Sequence, residues 1–109
     1  MAVQVPFLDC CGQPALDDVR CWVRSECGTI SLRICRGCGA HWYFHLKEYG
    51  ISGAEYDRRS WYVRVTEAEA PALAQSDRPP SIRLFADRDG IARTEDGIQK
   101  IRGVPDFVG

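Results

Sequence analysis

Hydrophobic and polar residues alternate with period two along the first half of the chain. Val19, Cys21 and Val23 alternate with Arg20, Trp22 and Arg24; Ile30, Leu32 and Ile34 alternate with Ser31 and Arg33. Such alternation puts one set on each face of a strand. Ser25-Glu26-Cys27-Gly28 carries turn chemistry between the two runs, so 19–24 and 29–35 predict a hairpin. Residues 40–46 predict a third strand, with Trp42, Phe44 and Leu46 on one face and His41, Tyr43 and His45 on the other. Residues 1–9, apolar but broken by Pro6, read as an edge strand or extended arm.

The second half is less regular. Residues 47–60 read as a polar connection with Gly50 and Gly53, anchored by Ile51 and Tyr56. Trp61-Tyr62-Val63-Arg64-Val65 is a strand signal. Thr66, with Glu69 three residues on, predicts a capping box opening a helix over 66–75; Pro71 must then sit in the first turn. Arg78-Pro79-Pro80 ends it. Residues 82–86 read as a strand, Asp89-Gly90 as a hairpin turn into 91–94, and Glu95-Asp96-Gly97 as a second turn before 98–102. The apolar tail VPDFVG is expected to dock on the body.

All six cysteines and both histidines fall between Cys10 and Leu46. Cys35-Arg36-Gly37-Cys38-Gly39 is the sharpest feature. Two cysteines three apart on a tight turn can aim both sulfurs at one metal, and the glycine after the second tolerates positive φ. Cys11-Gly12 and Cys27-Gly28 repeat the second half of that pattern. Cys11, Cys27, Cys35 and Cys38 are therefore the expected four-sulfur set, with Cys10 the alternate for Cys11 and His41 the alternate for Cys27. Zn2+ is the ion that best suits four thiolates in a closed tetrahedral site. Cys21 reads instead as a small buried hydrophobe.

The knuckle, hairpin and third strand of this region resemble the zinc-ribbon group over roughly the first 46 residues. The resemblance is partial, because a standard ribbon carries two complete Cys-x-x-Cys pairs and this chain has one. It implies a structural metal and a binding role more than catalysis. The expected fold class is α+β, mainly antiparallel β: a zinc-ribbon-like N-terminal hairpin plus third strand (1–46), then a strand–helix–β-meander (61–109), packed as a single domain over 1–109. A length of 109 residues suits one domain.

Six cysteines also admit other uses. A disulfide framework needs an oxidising compartment. The stretch MAVQVPFLD has no basic n-region and no long apolar run, so the expected location is cytoplasmic. Six reduced and merely buried thiols are the bland alternative. A thioredoxin-like use of Cys35 and Cys38 needs the pair to open a helix, whereas Gly39 leads here into the strand-like AHWYFHL.

Charge narrows the partners. Net charge is −1, which argues against nucleic-acid binding by bulk charge. The spread is uneven: residues 19–64 hold seven Arg and one Lys against one Asp and three Glu, a net of +4. Arg20, Trp22, Arg24 and Arg33 should project together from the hairpin; either the C-terminal half covers this face, with Arg stems stacking on the indole, or it is a contact surface rich in the residue types of interface hot spots. No apolar run approaches the roughly 18 residues that span a membrane. No zinc-deaminase, His-Glu-x-x-His, phosphate-loop or nucleophile-elbow motif occurs, and Asp87, Asp89 and Asp96 read as solvated turn residues. The reading is therefore a small zinc-stabilised protein-binding module without catalytic activity, an inhibitor, bacterial immunity-type protein or adaptor. The alternative is a nucleic-acid-binding zinc ribbon using the Arg/Trp face. A metalloenzyme ranks third, and no small-molecule substrate is inferred.

Overall fold

Seven strands follow one another in space as they do in sequence. In the computed structural model, which describes residues 2–50 and 56–108, these are β1 (Val3–Gln4), β2 (Ala15–Ser25), β3 (Gly28–Cys35), β4 (His41–Gly50), β5 (Tyr56–Val65), β6 (Asp89–Thr94) and β7 (Gly97–Arg102). Each pairs antiparallel with the next, in the order β1-β2-β3-β4-β5-β6-β7, so the chain is one curled meander. Sequential hairpins need only short connections, which is why local alternation and turn signals located most of the strands.

The expected α+β arrangement is overturned. Among the described residues, helical structure is confined to α1 (Ala70–Ala74) and a 3-10 turn, Ile82–Phe85. The capping box itself forms: the Thr66 N–H donates to Glu69 Oε1 at 3.0 Å and the Glu69 N–H to Thr66 Oγ1 at 3.2 Å. Pro71 falls at the first helical turn and Pro79-Pro80 follow closely, so one turn is all that fits between them. Residues 82–86, expected as a strand, have Ile82 and Phe85 as their inward apolar positions, a spacing of three rather than two. That period suits a 3-10 turn. Asp89 and Gly90, expected as a hairpin turn, instead open β6 opposite Arg102 and Ile101. The connection expected over 47–60 is mostly strand, with β4 running to Gly50 and β5 starting at Tyr56; Ile51 and Gly53 lie outside the described residues.

Both faces of the sheet are covered. On one, Leu32, Tyr43, Trp61, Val63, Val65 and Ala92 meet Ala70, Phe85 and Phe107, so α1, the 3-10 turn and the docked C-terminal tail form the lid. Tyr43 packs 4.7 Å from Phe85 and 5.5 Å edge-on to Trp61. On the other, Leu16, Cys35, Trp42, Phe44, Tyr62 and Ile91 are covered by the N-terminal arm through Val5, Phe7 and Leu8. That second layer brings the first cysteines over the sheet.

Candidate metal centre

The Sγ atoms of Cys10, Cys11, Cys35 and Cys38 all lie within 4.8 Å of one another. Two segments deliver them: the loop between β1 and β2 carries Cys10 and Cys11, and the end of β3 with its turn into β4 carries Cys35 and Cys38. The turn is tied by Gly39 N–H to Cys35 C=O at 2.7 Å and Cys35 N–H to Ala40 C=O at 2.7 Å. The Arg36 N–H donates to Ala15 C=O at 2.7 Å, fastening the turn to the start of β2. Gly39 adopts φ +81°, the left-handed region that glycine enters without a Cβ penalty. A Cβ on Gly37 would meet Cys11 Sγ and Gln13 O at 2.9 Å each, so the two loops can close only around a glycine.

The donor set fits a tetrahedral thiolate metal. With a metal–sulfur bond of about 2.3 Å, tetrahedral sulfurs stand about 3.8 Å apart. Cys11 Sγ and Cys35 Sγ are 3.8 Å apart. Four sulfurs close the shell. Burial opposes ionisation of the Cys35 thiol, but hydrogen bonds from the backbone of Ala15, Cys38 and Gly37 outweigh it and bring its pKa down to about 6. Burial pushes the Cys10 thiol up to about 12, the Cys38 and Cys35 sulfurs adding to it, and raises Cys11 as well. A bound cation would supply the positive charge that lets all four ionise.

An orphaned donor points the same way. Trp42 is 2% exposed, and its indole Nε1 is buried without a hydrogen-bond partner. Cys10 packs against the cluster that contains Trp42, and the indole N–H favours the ionised form of that sulfur. A metal-bound thiolate at Cys10 would satisfy this donor, as second-shell groups commonly do.

The expected ligand set needs one correction. Cys27 sits exposed at the far tip of the β2–β3 hairpin. It is eight steps along the strand from Cys35, about 26 Å at 3.3 Å per residue. Cys10, expected as an alternate to Cys11, joins it instead. His41 faces the opposite side of the sheet from its neighbour Trp42, pairing with Ile34 and Val65, and is not among the four. The vicinal pair followed by Gly12 was the available signal that one loop delivers two sulfurs.

The hairpin face is also rearranged. Register breaks between Asp18 and Arg20 and again between Cys21 and Val23, so Val19 and Trp22 are extra, bulged residues. Each bulge moves the following side chains to the other face. Arg20 and Trp22 therefore turn toward the helical layer: Arg20 pairs with Asp77 at 2.9 Å and Trp22 Nε1 donates to Ser76 C=O at 3.0 Å. Arg24 and Arg33 lie on the other face, sharing the Asp18 carboxylate at 2.6 and 3.0 Å, with Arg33 stacked 3.9 Å over Phe44. Val19, Cys21 and Val23, expected inward, are exposed.

No helix among the described residues is long and apolar enough to cross a membrane. No family model, curated protein or solved structure matches the chain.

Proposed function

We propose that this protein is a small zinc-stapled module that binds another protein. The four-sulfur cluster is the observation that carries the metal half of this reading. Its closed shell suits a structural ion, which would lock the N-terminal arm onto the sheet through Cys10 and Cys11 and to the β3–β4 turn through Cys35 and Cys38. Zinc is favoured over other ions because four thiolates in tetrahedral array suit it best.

The state of the arginines supports a protein rather than a nucleic acid as partner. Arg20, Arg24, Arg33, Arg36, Arg58, Arg59, Arg88 and Arg102 each lie within ion-pair distance of a carboxylate of this chain. Phosphate binding releases the counterions condensed on the nucleic acid as cations take their place, and most of the arginines here would have to leave a carboxylate of this chain to do so. Titration of labelled single-stranded and duplex oligonucleotides at physiological salt tests the point. Only weak, non-specific association is expected. Sub-micromolar binding with a steep salt dependence would overturn the protein-binding reading and leave the metal site untouched.

A further inference from the structure

A cavity of about 470 Å³ opens beside the metal loops, between the end of the N-terminal arm and strands β5–β7. Its size falls within the roughly 300–1,000 Å³ usual for small-molecule sites. Trp42 and Ile91 lie almost fully buried beneath it, so the apolar surface left bare is mainly that of the Lys100 and Arg102 stems; Arg64, Lys100 and Arg102 bring cations, and Asp9 and Asp89 bring carboxylates. Lys100 is 3.5 Å from Asp9 and Arg102 is 3.1 Å from Asp89, so each acid is matched at the rim. Arg64 has no carboxylate within ion-pair distance among the described residues; its guanidinium lies 5.3 Å from the Trp42 ring. Three cations against two acids leave one positive charge in the cavity.

We propose that this cavity binds a small organic anion: a carboxylate or phosphate monoester on Arg64, joined to a flat apolar body that lies along the Lys100 and Arg102 stems above Trp42. The guanidinium can meet such a group with two parallel N–H donors, which an ammonium cannot do. The stems add an apolar contact that a bare inorganic anion would leave unused. The strand that carries Arg64 is held in place, because its backbone C=O accepts from Arg88 Nη1 at 3.2 Å and Arg88 is itself clamped by Glu69. The site is independent of the protein-binding reading and uses none of the four cysteines.

The test is a nuclear magnetic resonance titration of the metal-loaded protein, following the Trp42 indole N–H and the Arg64 Nε–H. Benzoate and phenyl phosphate are the probes, with acetate, inorganic phosphate and benzyl alcohol as controls. Saturable shifts at both groups are expected, with at least one aryl anion binding about tenfold more tightly than its bare counterpart; which one wins identifies the anionic group. Arg64→Gln should weaken that binding about tenfold, as loss of a charged hydrogen-bond partner does. Arg102→Gln, at the far rim, checks the same charge count without touching β5 and should weaken it about threefold. Absence of saturable shifts up to about 10 mM would overturn the proposal. So would equal binding of benzyl alcohol, or unchanged affinity in both variants.

Discussion

The sulfur of Cys11 stands 3.8 Å from the sulfur of Cys35, across 24 residues of sequence. That separation matches two corners of a tetrahedral thiolate site, about 3.8 Å for a metal–sulfur bond of about 2.3 Å. Protein purified without added metal should therefore carry close to one zinc per chain by elemental analysis. Cys35→Ser and Cys38→Ser should each lose the ion and destabilise the fold by on the order of 4 kcal/mol in denaturant titrations. Cys27→Ser, at an exposed hairpin tip, should change stability by less than about 0.5 kcal/mol. Equal damage from Cys27→Ser and Cys38→Ser would defeat the assignment.

Gly37 sets how closely the two metal loops approach. A methyl group there would press on Cys11 Sγ and Gln13 O at 2.9 Å each, whereas a Cβ on Gly12 would meet nothing within 4 Å. Gly37→Ala should cost about 1–3 kcal/mol, the usual range for overpacking, and weaken metal retention against a chelator. Gly12→Ala should retain metal like the parent. Indistinguishable chelator half-lives for the two variants would refute the close-approach argument.

Trp22 is packed against the helical layer rather than presented to a partner. Its ring lies 6.4 Å from Tyr43 and its indole N–H binds the Ser76 carbonyl at 3.0 Å. Trp22→Ala should lower unfolding free energy by about 3 kcal/mol, at the low end for a large aromatic because the residue is only half-buried. Full retention of stability with loss of partner affinity would restore the exposed-face reading.

Acid should weaken the clasp between Glu69 and Arg88. The guanidinium of Arg88 meets both Glu69 carboxylate oxygens, at 2.7 and 2.5 Å. The Arg88 contact, working against partial burial, holds the Glu69 carboxyl down from an ordinary value of 4.5 to about 2. A depressed folded-state value means that the unfolded chain binds the proton more readily. The stabilisation is thus complete above pH 4.5 and is lost as pH falls toward 2. Because both side chains are partly exposed, the effect should be about 1 kcal/mol. Glu69→Gln should flatten this part of the stability–pH curve; an unchanged slope would assign the acid sensitivity elsewhere.

Local pattern found the cores of most strands, but it missed the end of β4 and the start of β5 and placed a strand where the 3-10 turn lies. Period-two alternation marked the cores of β2, β3 and β4, the Trp61–Val65 run marked the end of β5, and Glu95-Asp96-Gly97 marked the β6–β7 turn, with Gly97 at φ +106°. The knuckle Cys35-Arg36-Gly37-Cys38-Gly39 was equally legible, because both of its sulfurs and the glycines that shape it lie within five residues. The Thr66–Glu69 capping box was also written locally and forms as expected, although the helix after it is a single turn.

What the sequence by itself determined, then, were features whose interacting partners are neighbours in the chain. Tertiary structure decided the rest. Which of Cys10, Cys11 and Cys27 joins Cys35 depends on the N-terminal arm folding back across Trp42, Phe44 and Tyr62, a contact that no local pattern encodes. That Arg20 and Trp22 part from Arg24 and Arg33 depends on two bulges in β2, visible only once its register against β3 is set. A bulge moves one residue and thereby inverts every side chain beyond it, so a one-residue difference in pairing outweighs a correct reading of the alternation.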